Sequence, residues 1–396
     1  MMRVPKNNSK SRAIILLSIA NFAMSVNQSN VSSIFLPISL EFNETVYGLG
    51  ILTSSFFLSY AAFEVPGGIL AARFGPSKLV IIGIAVNTIS VILTALAPTF
   101  VALIVLRFLA GLGFSFAFPS ILVLIIRYFK KGSEGLGVGL MGLSSGVGFI
   151  MGLSLWPVIA SIFGWRPSLL LSGLLDLVSL VLVLGFLPRD VPNPYFTFKI
   201  SYLRKIIFNK SLGILSIVLF GFGAAIGVSS SFIVFYLETS YKASPGLAGL
   251  IAGSTNIFPI FTSLVFGRMY DRLRNPKFLV LIALVSISFG VMLVSISGLG
   301  AAIGGMILVG FFSGIVSVIF IVAKTLAYSN PEFESAAVAW VDSFSLFGNF
   351  AAPIFFSFIA IHNGYSSAWL LSGLFSLALC LPWIFIRVSR QVYLEK

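Results

Sequence analysis

Twelve transmembrane helices in two pseudo-symmetric bundles of six, an all-helical integral membrane protein, are predicted by three observations. Apolar runs of about 20 residues or more, the length that crosses a bilayer core of roughly 30 Å as a helix, follow one another from residue 13 to residue 386. Lys and Arg crowd into alternate connections between the runs. Short motifs of the first half return in the second about 200 residues later.

The composition excludes most other classes. Of 396 residues 58% are hydrophobic and 9% charged, with 40 Phe against 12 acidic residues, and the mean hydropathy is +1.06. No soluble surface is built from such a mixture. The net charge of +13 invites a nucleic-acid reading, but the basic residues are scattered over seven segments instead of gathered on one face, so no nucleic-acid partner is expected. Cys380 is the single cysteine and His362 the single histidine. That rules out an intramolecular disulfide and leaves no cluster of metal ligands and no nucleophile–base pair, so neither an enzyme, a metal site nor a cofactor is expected.

The spans run near 13–40, 47–71, 78–97, 100–126, 135–161, 168–187, 211–237, 246–267, 278–298, 300–323, 335–361 and 367–386. The first follows a basic stretch (Arg3, Lys6, Lys10, Arg12) but is too long for a signal h-region and has no small-residue cleavage site, so it reads as a retained span. With the N-terminus inside, the inner segments hold all but three of the 25 Lys and Arg; Arg166 and Lys242 fall in outer loops and Arg107 within a span. The positive-inside rule then places both termini in the cytoplasm and the chain in a cytoplasmic membrane. The longest loop, 188–210, contains Pro188, Pro192 and Pro194 and divides the chain into a bundle over 1–187, a cytoplasmic linker over 188–210 and a bundle over 211–396.

The halves are duplicates. "GWRPSLLLSG" at 164–173 returns as "GYSSAWLLSG" at 364–373, and "RFLAG" at 107–111 as "GFFSG" at 310–314. "GILAARFGPSK" at 68–78 returns as "GRMYDRLRNPK" at 267–277, with Gly68, Arg73 and Lys78 answering Gly267, Arg272 and Lys277 at an offset of 199. The first copy has Ala72 where the second has Asp271. Parallel six-span halves of this kind resemble the major facilitator superfamily of secondary transporters. The resemblance covers essentially the whole chain. In that family the loop between spans 2 and 3 reads G-x-L-A-D-R-x-G-R-K, which Gly68, Leu70, Ala71, Arg73, Gly75 and Lys78 match. Arg107 and Gly111 match its Arg and Gly of span 4; in span 5 Gly142 and Gly146 match the antiporter motif, but Val147 stands in place of its proline.

The resemblance implies two bundles that rock about a central site, with a latch at the ends of spans. Gly68 and Gly267 would let a neighbouring helix approach closely. Asp271 can pair with Arg268, Arg272 or Arg274 or face the N-terminus of a neighbouring helix. For the missing carboxylate at Ala72, either Glu64 substitutes or closure relies on the second copy.

Polar groups inside spans mark the remaining candidates, because a charge near the bilayer centre costs about 2.5 to 3.5 kcal/mol on insertion scales. Arg107 suits a carboxylate or another oxyanion, unless it bonds a helix carbonyl or Asp176. Asp342 or Glu64 could carry a proton, and Asp342 forms a stripe with Ser345 and Asn349. Asn21, Ser25, Gln28 and Ser32 line one face of span 1, with Asn27 and Asn30 nearby, and are expected at the substrate cavity. Tyr236 and Asn256 are further substrate candidates. Phe114 and Phe118 on the Arg107 face read as packing. The expectation is a monomeric transporter in the lipid bilayer, working by alternating access and coupling a small organic or inorganic anion to protons. The alternative is a proton-coupled exporter of hydrophobic compounds.

Overall fold

The structure, a computed structural model, describes residues 7–129, 134–190, 204, 206–273, 277–327 and 331–386. Every regular element among them is helical. Hydrocarbon offers backbone N–H and C=O groups no water, and a helix satisfies them within itself. In the first half these are α1 (Asn7–Ser33), α2 (Phe35–Phe42), α3 (Val46–Phe74), α4 (Pro76–Ala95), α5 (Phe100–Tyr128), α6 (Glu134–Ser154), α7 (Trp156–Phe163) and α8 (Trp165–Phe186). In the second they are α9 (Lys210–Ser240), α10 (Pro245–Arg272), α11 (Lys277–Leu293), α12 (Leu299–Ser313), α13 (Val316–Ala327) and α14 (Pro331–Cys380).

Nine helical stretches among the described residues are long and apolar enough to cross a bilayer, the last of them 49 residues long. That one contains a bend at Gly364 (φ 81°, ψ 166°) that separates two spans. The more polar α1 and the 17-residue α11 bring the spans to twelve.

Three predicted spans are interrupted. The first breaks at Ile34, three residues before Pro37, and the fifth at Leu155, two before Pro157. Proline has no N–H for the carbonyl four residues back, and its ring crowds that carbonyl. The tenth breaks at Gly314. Polar caps begin α5 and α9: Thr99 Oγ1 accepts from the Ala102 N–H at 3.2 Å, and Asn209 Oδ1 from the N–H groups of Ser211 and Leu212, each cap contributing about 1 kcal/mol.

The chain clusters into two compact units, Met1–Phe198 with Ala243–Gly253, and Lys199–Lys242 with Ser254–Lys396. The duplication is visible inside each. Gly164 (φ 89°, ψ 156°) and Gly364 (φ 81°, ψ 166°), 200 residues apart, take the same left-handed backbone at the entry to the last span of each unit. Gly173 lies against Ile92 in the first unit, and Gly373 against Met292 in the second. Both pairs keep the 200-residue offset.

Candidate functional site

In the first unit, Gly111 sets the site. A Cβ there would fall on the carbonyl oxygen of Phe56 and on Ser59 Oγ, so α5 approaches α3 as only glycine allows. One turn earlier on α5, the Arg107 guanidinium lies over the Phe56 ring, 4.6 Å from its centroid, an attraction of about 0.5 to 2 kcal/mol. Phe56, Tyr60, Phe114 and Phe118 form a continuous aromatic cluster with centroids 5.0–6.4 Å apart, so Phe114 and Phe118 pack there as expected.

Arg107 Nη1 donates to the carbonyl of Asn27 at 3.0 Å and Nη2 to that of Gln28 at 3.2 Å. The residue is 3% exposed, and its Nε has no hydrogen-bond partner. Among the described residues no carboxylate pairs with it. A buried cation without a counterion is costly, and two carbonyls use only two of the five N–H groups a guanidinium carries.

In the same unit, Asp176 of α8 is fully buried. Its Oδ2 accepts from Asn87 Nδ2 of α4 at 2.6 Å, while Oδ1 has no partner. The side chain of Asn27 is the second polar group at this carboxylate, though its Nδ2 completes no hydrogen bond. Asn30 Nδ2 donates to Ser172 Oγ at 2.9 Å, one turn from Asp176, and to Asn27 Oδ1 at 3.3 Å.

The other span 1 candidates divide. Asn21 Nδ2 lies 2.7–3.0 Å from Ser144 Oγ, Ser145 Oγ and the Met141 carbonyl of α6, so it joins two helices. The side chain of Gln28 is half-buried and makes no hydrogen bond among the described residues. Glu64 is buried on α3 and has a partner.

In the second unit, Asn349 donates to the Ser345 carbonyl at 2.9 Å. A Cβ at Gly223 or Gly227 of α9 would meet the backbone of Ser345 or Asn349, so that stripe is the seam between α9 and α14. Asp342, on the same helix, is half-buried with no hydrogen bond among the described residues. Tyr236 packs with Tyr241, Tyr365 and Trp369, and Asn256 Nδ2 donates to Thr255 Oγ1 at 3.0 Å.

At the first latch motif two adjacent glycines differ in their surroundings. Among the described residues no atom stands within 4 Å of a Cβ built at Gly68 or Gly267. The close approach belongs to Gly67, whose Cβ would lie 2.8 Å from the Ser115 carbonyl of α5; neighbouring helix positions differ by about 100° in direction. Arg73 and Lys78 are exposed and lie over the Phe74 ring. Asp271 and Arg272 are exposed on α10, Asp271 with a partner; Arg274, most of the linker over 188–210 and the outermost residues of the chain lie outside the described residues.

Beside the first motif stands a carboxylate that motif reading missed. Asp190 Oδ2 accepts from the backbone N–H and the Oγ of Ser77, at 3.0 and 2.8 Å, and Oδ1 pairs with Arg127 at 2.8 Å. The negative charge sits at the N-terminus of α4, where the helix dipole favours it. Its only sequence signal is an acid alone in a basic loop. At the opposite end of this unit, Glu41 accepts from Trp165 Nε1 at 2.6 Å and from Arg166 Nη2 at 2.7 Å. The hydrogen bond from Arg166, foremost, holds the Glu41 carboxyl below its ordinary value.

Comparison with known proteins agrees with this architecture. The family model of the Major Facilitator Superfamily matches residues 17–320 and 214–395. The chain is 28% identical over 192 residues to the "Probable sulfoacetate transporter SauU" of Cupriavidus necator, covering 48% of this chain and 44% of that protein. It is 34% identical over 161 residues to "Probable anion transporter 6, chloroplastic" of Arabidopsis thaliana, covering 40% and 31%. The chain thus spans less than half the length of these curated relatives. Two solved structures are similar in fold: the nucleoside transporter NupG (TM-score 0.75, 16% identity, 96% of this chain and 99% of that one) and a bacterial homologue of the human lysosomal transporter Spinster (TM-score 0.76, 15% identity, 96% and 97%). The chain belongs to the Major Facilitator Superfamily and is a multi-pass membrane protein.

Proposed function

We propose that the protein moves a small organic or inorganic anion together with a proton. The observation that carries this reading is Arg107, a cation 3% exposed, held by two backbone carbonyls and an aromatic face, with no carboxylate partner among the described residues. An oxyanion would complete it, since the guanidinium keeps up to three N–H groups in a planar array that matches carboxylate, sulfonate or phosphate oxygens. Gln28, a polar side chain of α1 with no hydrogen bond of its own among the described residues, stands beside that array through its carbonyl. The relatives named for sulfoacetate and for anions support the same class. Asp342 and Glu64 are the carboxylates that the sequence offers as proton carriers. The protein is proposed to act as a monomer in a cytoplasmic membrane with both termini on the cytoplasmic side.

The test is reconstitution in liposomes with an internal pH dye and a panel of sulfoacetate, phosphate and carboxylates. Acidification driven by one anion class, and lost in Arg107→Ala, supports the reading. Silence across the panel, with movement of a lipophilic cation instead, overturns it in favour of export of hydrophobic compounds.

A further inference from the structure

We propose that the end of the first unit bearing Arg73, Phe74 and Lys78 binds the headgroup of an anionic phospholipid, whose phosphate bridges the two cations. In the orientation proposed above, this is a lipid of the cytoplasmic leaflet.

The two ends of this unit are charged differently. Lys10 and Arg12 of α1, Arg73 of α3, Lys78 of α4, Arg127 of α5 and Arg189 beyond α8 gather at one end, whereas Glu41 and Glu44 stand with Arg166 at the other. Asp190 lies among the six cations with both oxygens engaged, Oδ1 by Arg127 and Oδ2 by the N–H and Oγ of Ser77. Among the described residues no carboxylate pairs with Arg73 or Lys78. The position next to Arg73, where the second copy of the motif has Asp271, is Ala72.

An aromatic ring open to the outside holds the two cations together. The Arg73 guanidinium and the Lys78 ammonium each lie 5.4 Å from the centroid of Phe74, so they stand no farther apart than twice that distance. Phe74 is 39% exposed. Arg12 repeats the arrangement over Phe186, at 5.7 Å from a ring that is 55% exposed. Aromatic rings and long basic side chains at the ends of spans suit the headgroup zone of a bilayer, the ring at its apolar boundary and the cation among the phosphates.

The apolar surface below Lys78 selects a lipid over a free phosphate. Lys78, Ile82, Ile89 and Leu93 fall on one face of α4 by their spacing, and all four are exposed. The stripe runs from the cation along a membrane-spanning helix, as an acyl chain runs from its headgroup. A phosphodiester offers Arg73 two oxygens in the plane of its fork and Lys78 a point contact. The negative charge of the lipid then balances cations that the chain itself leaves without an acid, and attraction of this kind draws basic segments to anionic leaflets.

The full-length protein in an uncharged detergent decides the matter, with phosphatidylglycerol, phosphatidylcholine and inorganic phosphate as probes. Native mass spectrometry reads bound lipid, and the melting temperature reads its effect. We expect phosphatidylglycerol to bind at least about tenfold more tightly than phosphatidylcholine and to raise the melting temperature. The double variant Arg73→Gln with Lys78→Gln should lose that preference, while Arg73→Lys with Lys78→Arg retains most of it and Lys242→Gln all of it. Ala72→Asp, which returns an acid beside Arg73, should weaken phosphatidylglycerol about threefold or more. Both cations are exposed and form no hydrogen bond through their side chains among the described residues, so the lipid-free variants should melt as the wild type does. Equal affinity for the two lipids, or a preference unchanged in the Gln double variant or in Ala72→Asp, overturns the proposal. Inorganic phosphate binding as tightly as phosphatidylglycerol also overturns it, since the site then takes a free anion.

Discussion

Asp190 and Arg127 form an ion pair of 2.8 Å, and the second oxygen of the same carboxylate caps α4 through Ser77. The acid comes from beyond α8, the base from the end of α5, and the capped helix starts at the motif whose own carboxylate position is Ala72. Three helices of the first unit are thus fastened at one end by a single side chain.

Removing that side chain should loosen this end. We expect Asp190→Ala to destabilise the protein by about 1 kcal/mol, most of it from the cap, because an ion pair with Arg127 40% exposed contributes little. Thermal unfolding in detergent measures it. If the junction is part of the latch, turnover falls more than substrate affinity does, and Asp271→Asn in the second copy behaves likewise.

Arg107 grips two successive carbonyls with a planar fork, which a point-like ammonium does not reproduce. Arg107→Lys should therefore lose about tenfold or more in anion transport despite keeping the charge. Wild-type rates in Arg107→Lys proteoliposomes would show that charge alone suffices.

The two adjacent glycines of α3 should respond in opposite ways. Gly67→Ala places a Cβ 2.8 Å from a backbone oxygen and 3.0 Å from Phe116, a clash worth about 1 to 3 kcal/mol. Gly68→Ala meets nothing within 4 Å and should change stability by no more than about 1 kcal/mol, in the stabilising direction. Equal melting temperatures for the two variants would contradict the assigned helix face.

Glu41 gives a pH signature. Its folded carboxyl is held below the ordinary value of 4.5, chiefly by the Arg166 hydrogen bond, so its contribution is present above that value and is lost as pH falls through the folded one. Wild type should lose stability relative to Glu41→Gln on acidification below about pH 4.5. A constant difference between the two down to the acid limit would count against the bond.

The twelve spans and the duplication were legible because lipid removes every external partner of the backbone, so the length and apolarity of a run decide what it becomes. The site was legible only as a set of residue types. Arg107 and the amides of α1 stood out for being polar in apolar runs, yet Asn21 proved to join α6 through partners 120 to 124 residues away. Asp190 was invisible because Ser77 and Arg127 lie 113 and 63 residues from it.

By itself the sequence determined the fold, the repeat and the family, since all three rest on periodic or repeated patterns along one chain. Only the tertiary structure decided which glycine meets a neighbour, which carboxylate fastens α4, and that Arg107 is held by carbonyls while Asp176 is bonded by Asn87. Periodicity records that a helix face is polar or small. What that face meets depends on distances between helices that no pattern along the chain contains.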